Sequence, residues 1–152
     1  MISLLLLPLI SSFVISPYPI FANPKVFSFC PGIDSRLKQI AREAAESTTP
    51  IVFKKHSSDT ICNVETDQFY ARTLTTSTFN THIQVSNRLL SYDNTLFNTV
   101  LHELLHSLGL KHSPLAGVMN YSLLTENGMP IEDRRRLWLS EDDRSGLQYL
   151  MN

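Results

Sequence analysis

Several features that would assign this chain to other protein classes are missing from its 152 residues. No run of eighteen or more apolar residues occurs, which excludes a protein that crosses a membrane several times. Basic residues show no excess, since 13 Lys and Arg stand against 14 Asp and Glu, and this argues against nucleic-acid binding. Only 5 glycines and 8 prolines are present, which excludes a collagen-like or low-complexity chain. The length and the 43% of hydrophobic residues fit one globular domain.

The first 22 residues contain no charged side chain. An apolar run from Leu4 to Ile15 is followed by a proline-interrupted stretch that ends at Ala22, a small residue. This pattern is typical of a secretory signal peptide cleaved after Ala22, although it lacks a basic N-terminal region. An uncleaved membrane anchor is the alternative. We therefore expect residues 1–22 to be a leader and residues 23–152 to form the domain of a secreted or membrane-tethered protein.

Cysteine is scarce, with Cys30 and Cys62 as the two examples. In a secreted chain an even number of cysteines favours a disulfide, so we expect these two to be bonded to each other. Two unpaired buried thiols are the alternative. A zinc site built from cysteine is disfavoured, because neither residue has a second cysteine two to four positions away.

The spacing of apolar residues predicts the elements of the first half of the domain. Helical spacing from Ile33 to Ala45 predicts a helix that Pro50 closes. Segments rich in β-branched and aromatic residues predict four strands, and a polar stretch predicts a loop between the second and the third. The predicted strands are 23–29, 51–53, 69–76 and 81–86, and the predicted loop is 57–68.

A second helix is predicted to be buried, because it is apolar over most of its surface. Asp93 or Asn94 can cap its start, and Gly109 ends it in the left-handed turn that glycine prefers. Polar side chains in such a buried helix are costly unless they have partners. Three of them interrupt the apolar surface: His102, Glu103 and His106.

These polar residues belong to the pattern H-E-x-x-H-x-x-G-x-x-H, which ends at His112. A spacing of four places His102 and His106 on one helix face, where one metal ion can bind both. Gly109 lets the chain reverse, so His112 can supply a third nitrogen. Three ligands leave the fourth position of a tetrahedral zinc ion open for water, as a catalytic site requires. The alternative is three histidines satisfied by hydrogen bonds within the core.

The pattern, with Met119 seven residues after the third histidine, resembles the metzincin clan of zinc endopeptidases. In that clan a methionine-bearing turn lies beneath the zinc. Ser113, directly after the third histidine, is typical of the matrixins within the clan. The segment 139–150 is similar to the matrixin closing helix, whose pattern is L-x-x-D-D-x-x-G-I-Q-x-L-Y. Within this segment, Ser140 and Asp143 are spaced as a variant of the capping box.

The resemblance implies an α+β domain whose twisted, mostly parallel sheet packs on the first helix and the active-site helix, with a further C-terminal helix. It implies one catalytic zinc ion on the three histidines and Glu103 as general base in peptide hydrolysis. An edge strand, 69–76 or 81–86, would pair with an extended peptide. The expected protein is a monomer that acts on proteins or peptides, without nucleic acid or stable membrane association. A non-catalytic zinc-binding protein of the same fold is the alternative.

Two departures from the matrixin pattern affect regulation and metal content. No propeptide segment of the P-R-C-G-x-P-D type is recognised, and Cys30 stands directly before the first helix. The segments that bind structural zinc and calcium in matrixins are missing, so a second metal ion is not expected.

A third departure concerns the methionine turn, which reads Met119-Asn120-Tyr121 where matrixins usually have M-Y-P. Astacins and serralysins carry a tyrosine at this position. Tyr121 is therefore either a phenol that contacts zinc and donates to the oxyanion, or a tyrosine packed behind the turn. Asn120 begins a formal glycosylation pattern, but we expect it to be unmodified because the turn should be packed.

Overall fold

The computed structural model describes residues 14–15, 24–48, 51–76, 78, 80–113, 117–119 and 135–151. In chain order, the elements of these residues are β1 (Val14–Ile15), β2 (Lys25–Phe29), α1 (Ser35–Glu46), β3 (Ile51–Phe53), β4 (Thr60–Val64), β5 (Ala71–Thr75), β6 (Thr81–Ser86), a 3₁₀ turn (Asn87–Leu89), α2 (Asp93–Ser107), β7 (Leu110–Lys111) and α3 (Glu141–Met151). None of the helices in this part of the chain has the length and apolar character needed to cross a membrane.

Five strands form one sheet in the order β3-β2-β4-β6-β5. β2 pairs in parallel with β3 and β4, and β4 pairs in parallel with β6. β5 runs antiparallel to β6 at one edge. The mostly parallel sheet therefore agrees with the prediction. Of the two candidate edge strands, the first is confirmed and the second is wrong, because β6 lies between two other strands.

The predicted loop over 57–68 is also wrong, since it contains β4, the central strand of the sheet. Ile61 is fully buried, and two of the other four residues of the strand, Thr60 and Asn63, are polar. Thr60, Ile61 and Val64 are β-branched and suit a strand, but the polar residues on either side of them led to the prediction of a loop. β4 forms because β2 and β6 flank it and supply hydrogen-bond partners for its backbone on both sides.

The two long helices and the sheet bury the core between them. α1 begins after Asp34, whose carboxylate accepts hydrogen bonds from the backbone N–H groups of Arg36 and Leu37. α2 begins without a side-chain cap, so the prediction that Asp93 or Asn94 caps it is wrong. Asp93 lies instead in the first turn, where its negative charge interacts favourably with the helix dipole. Fully buried residues of the core include Phe27, Leu37, Ile61, Ile83, Leu96, Phe97, Leu101 and Leu105.

Two further links join distant parts of the chain. Cys30, directly after β2, and Cys62 of β4 form the predicted disulfide, with their Cα atoms 5.2 Å apart. β1 pairs antiparallel with β7, although β1 lies within the predicted leader. The other residues of the leader lie outside the described part of the chain, and cleavage after Ala22 stays a prediction.

Candidate metal centre

Helix α2 and the turn after it bring three histidines to one place. α2 presents His102 and His106 one turn apart, and it ends at Ser107. Gly109 follows with φ +109°, a backbone conformation that residues with a Cβ rarely adopt. The nearest atoms to a Cβ at this position would be 3.5 Å away, so the backbone and not crowding favours glycine. The chain then reverses through β7 and delivers His112.

The three imidazoles are close enough to share one metal ion. One ring nitrogen of each histidine lies within 4.8 Å of the others. The Nε2 atoms of His102 and His112 are 3.1 Å apart. Zinc–nitrogen bonds of ~2.0–2.1 Å in tetrahedral geometry place two ligand nitrogens about 3.3 Å apart. The spacing of this pair of nitrogens therefore fits two ligands of a tetrahedral zinc ion.

Backbone carbonyls fix the orientation of two of these rings. His102 Nδ1 lies 2.6 Å from the carbonyl oxygen of Val118, and His106 Nδ1 lies 2.7 Å from that of Leu110. A carbonyl oxygen only accepts, so each Nδ1 carries the hydrogen and donates it. The lone pair of each ring is then on Nε2, which is the nitrogen that a metal would bind.

Loss of solvent favours the neutral form of the histidines, although His112, unlike His102 and His106, is exposed. Burial lowers the pKa of His102 to about 3, with a smaller contribution from the nearby His106. It also lowers the pKa of His106 to about 4 and that of His112 below its ordinary value. Neutral imidazole is the form that binds metal ions, so the three rings are suited to zinc at neutral pH.

Glu103 follows His102 in the same buried helix, and only 4% of it is exposed. Burial raises its carboxyl pKa to about 7 in the metal-free protein, while a hydrogen bond from Thr73 opposes this shift. Thr73 Oγ1 is 3.3 Å from Glu103 Oε2 and 3.2 Å from the Glu103 backbone oxygen. A carboxyl group with such a pKa can accept and release a proton near neutral pH.

The segment around Met119 is packed between the histidines and α3. Met119 is buried, and its carbonyl accepts a 2.7 Å hydrogen bond from the backbone of Ser113. The Asp143 carboxylate accepts a hydrogen bond from the backbone of Val118, whose carbonyl in turn holds His102. Val118 therefore links α3 to His102: Asp143 of α3 holds the Val118 backbone, and the Val118 carbonyl orients the His102 ring. Asn120 and Tyr121 lie outside the described residues, and both interpretations of Tyr121 stay predictions.

Sequence reasoning missed two contributors to this centre. Thr73 lies in the predicted strand 69–76, but nothing in the sequence pairs it with Glu103, which is 30 residues away. Val118 acts through its backbone carbonyl, so its residue type carries no signal. The pattern of alternating faces in β5 could have indicated that Thr73 faces inward, but not which side chain it meets.

Comparisons with known proteins identify the family of the chain. The family model described as Matrixin, of peptidase family M10, matches residues 37–152. The chain belongs to the matrixin family. Matrixins are zinc metallopeptidases, and His102, His106 and His112 form the possible zinc site of this one. The mixed α/β fold, with its mostly parallel sheet, is consistent with a matrixin domain.

Solved structures support the fold independently. A chain of the structure titled "GM1 bound form of the ECX AB5 holotoxin" superimposes with a TM-score of 0.54 at 13% sequence identity. The similarity covers 91% of this matrixin and 84% of that chain. At this identity the likeness concerns the fold alone. A comparison with curated proteins gave no match.

Proposed function

We propose that this matrixin is a secreted endopeptidase that hydrolyses peptide bonds with one zinc ion. The observation that carries this proposal is the convergence of three imidazoles, together with a buried carboxyl group on the residue that follows the first of them. The ring nitrogens lie within 4.8 Å of one another, and Glu103 follows His102 in the same helix. A site built only to hold zinc for stability usually has four protein ligands, and it needs no carboxyl group beside an open position.

The residues of the chain have distinct tasks in this reaction. His102, His106 and His112 would hold the metal, the first two through Nε2, because backbone carbonyls occupy their Nδ1 atoms and prevent the rings from rotating. When bound, zinc supplies a Lewis acid that activates water and polarises the substrate carbonyl. Glu103 takes a proton from the attacking water on a carboxylate oxygen. It then delivers this proton to the leaving nitrogen as the C–N bond breaks.

The edge strand β5 offers a place for an extended peptide. β5 pairs with β6 on one side, and α2 packs against the same end of the sheet. An extended segment can add to such an edge through main-chain hydrogen bonds. A protein or peptide is therefore the proposed substrate, and neither nucleic acid nor a stable membrane contact is part of the proposal. We propose a monomer.

Secretion is supported by the disulfide and by the composition of the leader. Disulfides persist in oxidising compartments and are rare in the cytosol. Cys30 and Cys62 are bonded, and the first 22 residues lack charge. Tethering by an uncleaved leader is the alternative, and it would change the location of the protein without changing its chemistry.

A peptide-library cleavage assay with the purified, zinc-loaded full-length chain tests the proposal. We expect cleavage that a zinc chelator abolishes and added zinc restores. Glu103→Ala should abolish cleavage and keep about one zinc per chain, because Glu103 is not a ligand. His106→Ala should lose both zinc and activity.

Glu46→Ala is a matched control, since Glu46 is exposed on α1 and should not affect turnover. Equal turnover by the wild type and Glu103→Ala would contradict the proposed mechanism. Zinc binding at the histidines without any cleavage would favour the alternative of a non-catalytic zinc-binding protein.

A further inference from the structure

We propose that Thr73 is a positioning residue that holds the Glu103 carboxylate in place and ties it to strand β5. The inference rests on the proposed function of Glu103 as the general base. It goes beyond that function because it assigns a role to a side chain outside the histidine pattern, on a different element of the fold.

The position of Thr73 in the sheet explains why its hydroxyl reaches Glu103. Thr73 pairs with Ile83 of β6, which is fully buried, so the two side chains share the face that packs on the helices. From this face, Oγ1 comes within 3.3 Å of the Glu103 carboxylate and 3.2 Å of the Glu103 backbone oxygen. No other hydrogen-bond partner of this carboxylate is found among the described residues.

A hydroxyl group suits a carboxyl group that passes a proton during turnover. It has one hydrogen to donate and lone pairs that accept. It can donate to Glu103 while the carboxylate is ionised. After Glu103 has taken a proton, the hydroxyl can accept from the acid and donate to the Glu103 backbone oxygen. Valine has nearly the same shape as threonine but can make none of these bonds, whereas serine can make all of them.

The contact between Thr73 and Glu103 also joins the strand proposed to bind the peptide to the helix that carries the proposed general base. β5 is the strand proposed to pair with the peptide, and α2 carries the residue that moves the proton. Loss of the hydroxyl leaves the main chain of β5 intact, so the binding of a peptide should change little. The carboxylate, however, would lose its fixed direction, and misplaced catalytic groups slow the chemical step.

The kinetic experiment compares the wild type, Thr73→Val and Thr73→Ser as zinc-loaded full-length chains. Thr48→Val is the control, because Thr48, which is buried where Thr73 is half-buried, likewise donates to a backbone carbonyl, 3.2 Å away, at the end of α1. Thr73→Val should lower kcat roughly ten- to a hundredfold, with zinc content unchanged and KM within about twofold. Thr73→Ser should recover most of the loss, and Thr48→Val should keep the kcat of the wild type.

Three outcomes would overturn the inference: an unchanged kcat in Thr73→Val, a serine variant as slow as the valine variant, or a loss confined to KM. If Thr73→Val does not fold, Thr73→Ala takes its place as the hydroxyl-free variant. The comparison of Thr73→Ser with Thr73→Ala then separates the effect of the hydroxyl on kcat from the effect of losing the methyl group.

A second measurement does not depend on turnover. In the zinc-free protein, unfolding is measured for the wild type, Thr73→Val, Glu103→Ala and the double variant. Residues in direct contact show non-additive effects, so the unfolding equilibrium constant of the double variant should depart at least about twofold from the product of the single effects. Additive effects would refute the contact. An inactive wild type would instead refute the proposed function, so the two failures are distinguishable.

Discussion

At the scale of single residues, burial sets the charge of the side chains in the metal centre. His102 and Glu103 are neighbours in α2, and both are almost fully buried. Removal from water disfavours the charged form of either residue, so the imidazole pKa falls and the carboxyl pKa rises. The same cause therefore favours a neutral imidazole, which is the form that binds zinc, and a carboxyl group that can exchange a proton near neutral pH.

The raised pKa of Glu103 predicts how the stability of the zinc-free protein depends on pH. The folded pKa of about 7 lies above the ordinary value of 4.5, so folding is favoured by proton binding between these values. The contribution is fully present below pH ~4.5 and is lost as the pH rises through ~7. The loss should be on the order of 3 kcal/mol.

Glu103→Gln removes this titration and keeps the shape of the side chain. With a chelator present to remove zinc, the wild type should therefore lose stability relative to Glu103→Gln as the pH rises from 4 to 8. The buried histidines titrate in both proteins, so the comparison isolates Glu103. Urea denaturation at several pH values measures this difference, and parallel pH profiles would contradict the prediction.

Gly109 allows a second prediction at this scale. Its φ of +109° is unfavourable for any residue with a Cβ, although the space around it is sufficient. Gly109→Ala should lower the free energy of unfolding by about 1–2 kcal/mol, since the strain is confined to one residue. Denaturation by urea gives the value. If Gly109→Ala left the free energy of unfolding unchanged, the turn before His112 would have to adopt another backbone conformation.

At the scale of elements, α3 begins at a capping box that also supports the metal centre. The backbone N–H of Asp143 donates to Ser140 Oγ at 3.0 Å, and that of Ser140 donates to Asp143 Oδ2 at 3.2 Å, as predicted. Ser140 also lies close to Gly117, since a Cβ added at position 117 would be only 3.0 Å from Ser140 Oγ. The start of α3 therefore packs closely against the segment that orients His102.

The third prediction concerns this capping box. Ser140→Ala removes the acceptor for the Asp143 backbone and should destabilise the protein by about 1 kcal/mol. Because Asp143 also holds the backbone of Val118, zinc affinity should fall together with stability. Thermal denaturation and competition with a chelator measure the two effects. A loss of stability with unchanged zinc affinity would show that α3 does not influence the ligands.

The segment before α3 is fixed by a residue that the sequence did not single out. Asn98 is buried in α2, and its side-chain amide donates to the backbone oxygen of Arg135 at 2.9 Å. Its side-chain oxygen accepts from the backbone of Leu137 at 2.6 Å. A buried amide is costly without such partners. In sequence, Asn98 is one polar residue among apolar ones, and the segment that it binds lies 37 residues away.

At the scale of the whole molecule, two links hold the parallel strands together at different points. The disulfide joins the segment after β2 to β4. Near the start of β2, Lys25 is almost fully buried and forms an ion pair with Asp59 at 3.4 Å, together with a 3.0 Å hydrogen bond to Thr81. The Asp59 carboxylate also accepts from the backbone of Thr81, so the loop before β4 is tied to β6.

The fourth prediction concerns the disulfide. Cys30 and Cys62 are separated by 32 positions, and a loop of this length should contribute roughly 3–4 kcal/mol in the chain-entropy model. The double variant Cys30→Ser, Cys62→Ser should be destabilised by about that amount. Alkylation without reductant, followed by intact-mass measurement, should find no free thiol in the secreted wild type. Two alkylated thiols would contradict both the bridge and the proposal of secretion.

The sequence by itself determined the features that depend on near neighbours along the chain. The spacing of His102 and His106 follows from helical periodicity, and Gly109 fixes the turn that leads to His112. The capping box of α3 is equally local. Strands β2 and β3 were recognised because apolar residues dominate them. Each of these features is encoded within about ten residues. Tertiary contacts stabilise each helix, strand or turn but do not change which of these forms.

Only the tertiary structure decided how these pieces meet. β4 lies between two other strands, and the polar residues around its short β-branched segment did not indicate this position in the sheet. Thr73 meets Glu103, and Val118 meets His102, across 30 and 16 residues of sequence. Such contacts leave no periodic pattern, since they depend on the order of strands in the sheet and on the course of the backbone between elements. The sequence therefore contained the candidate zinc ligands and the proposed general base, whereas the groups that contact them, Thr73 and Val118, became visible only in the folded chain.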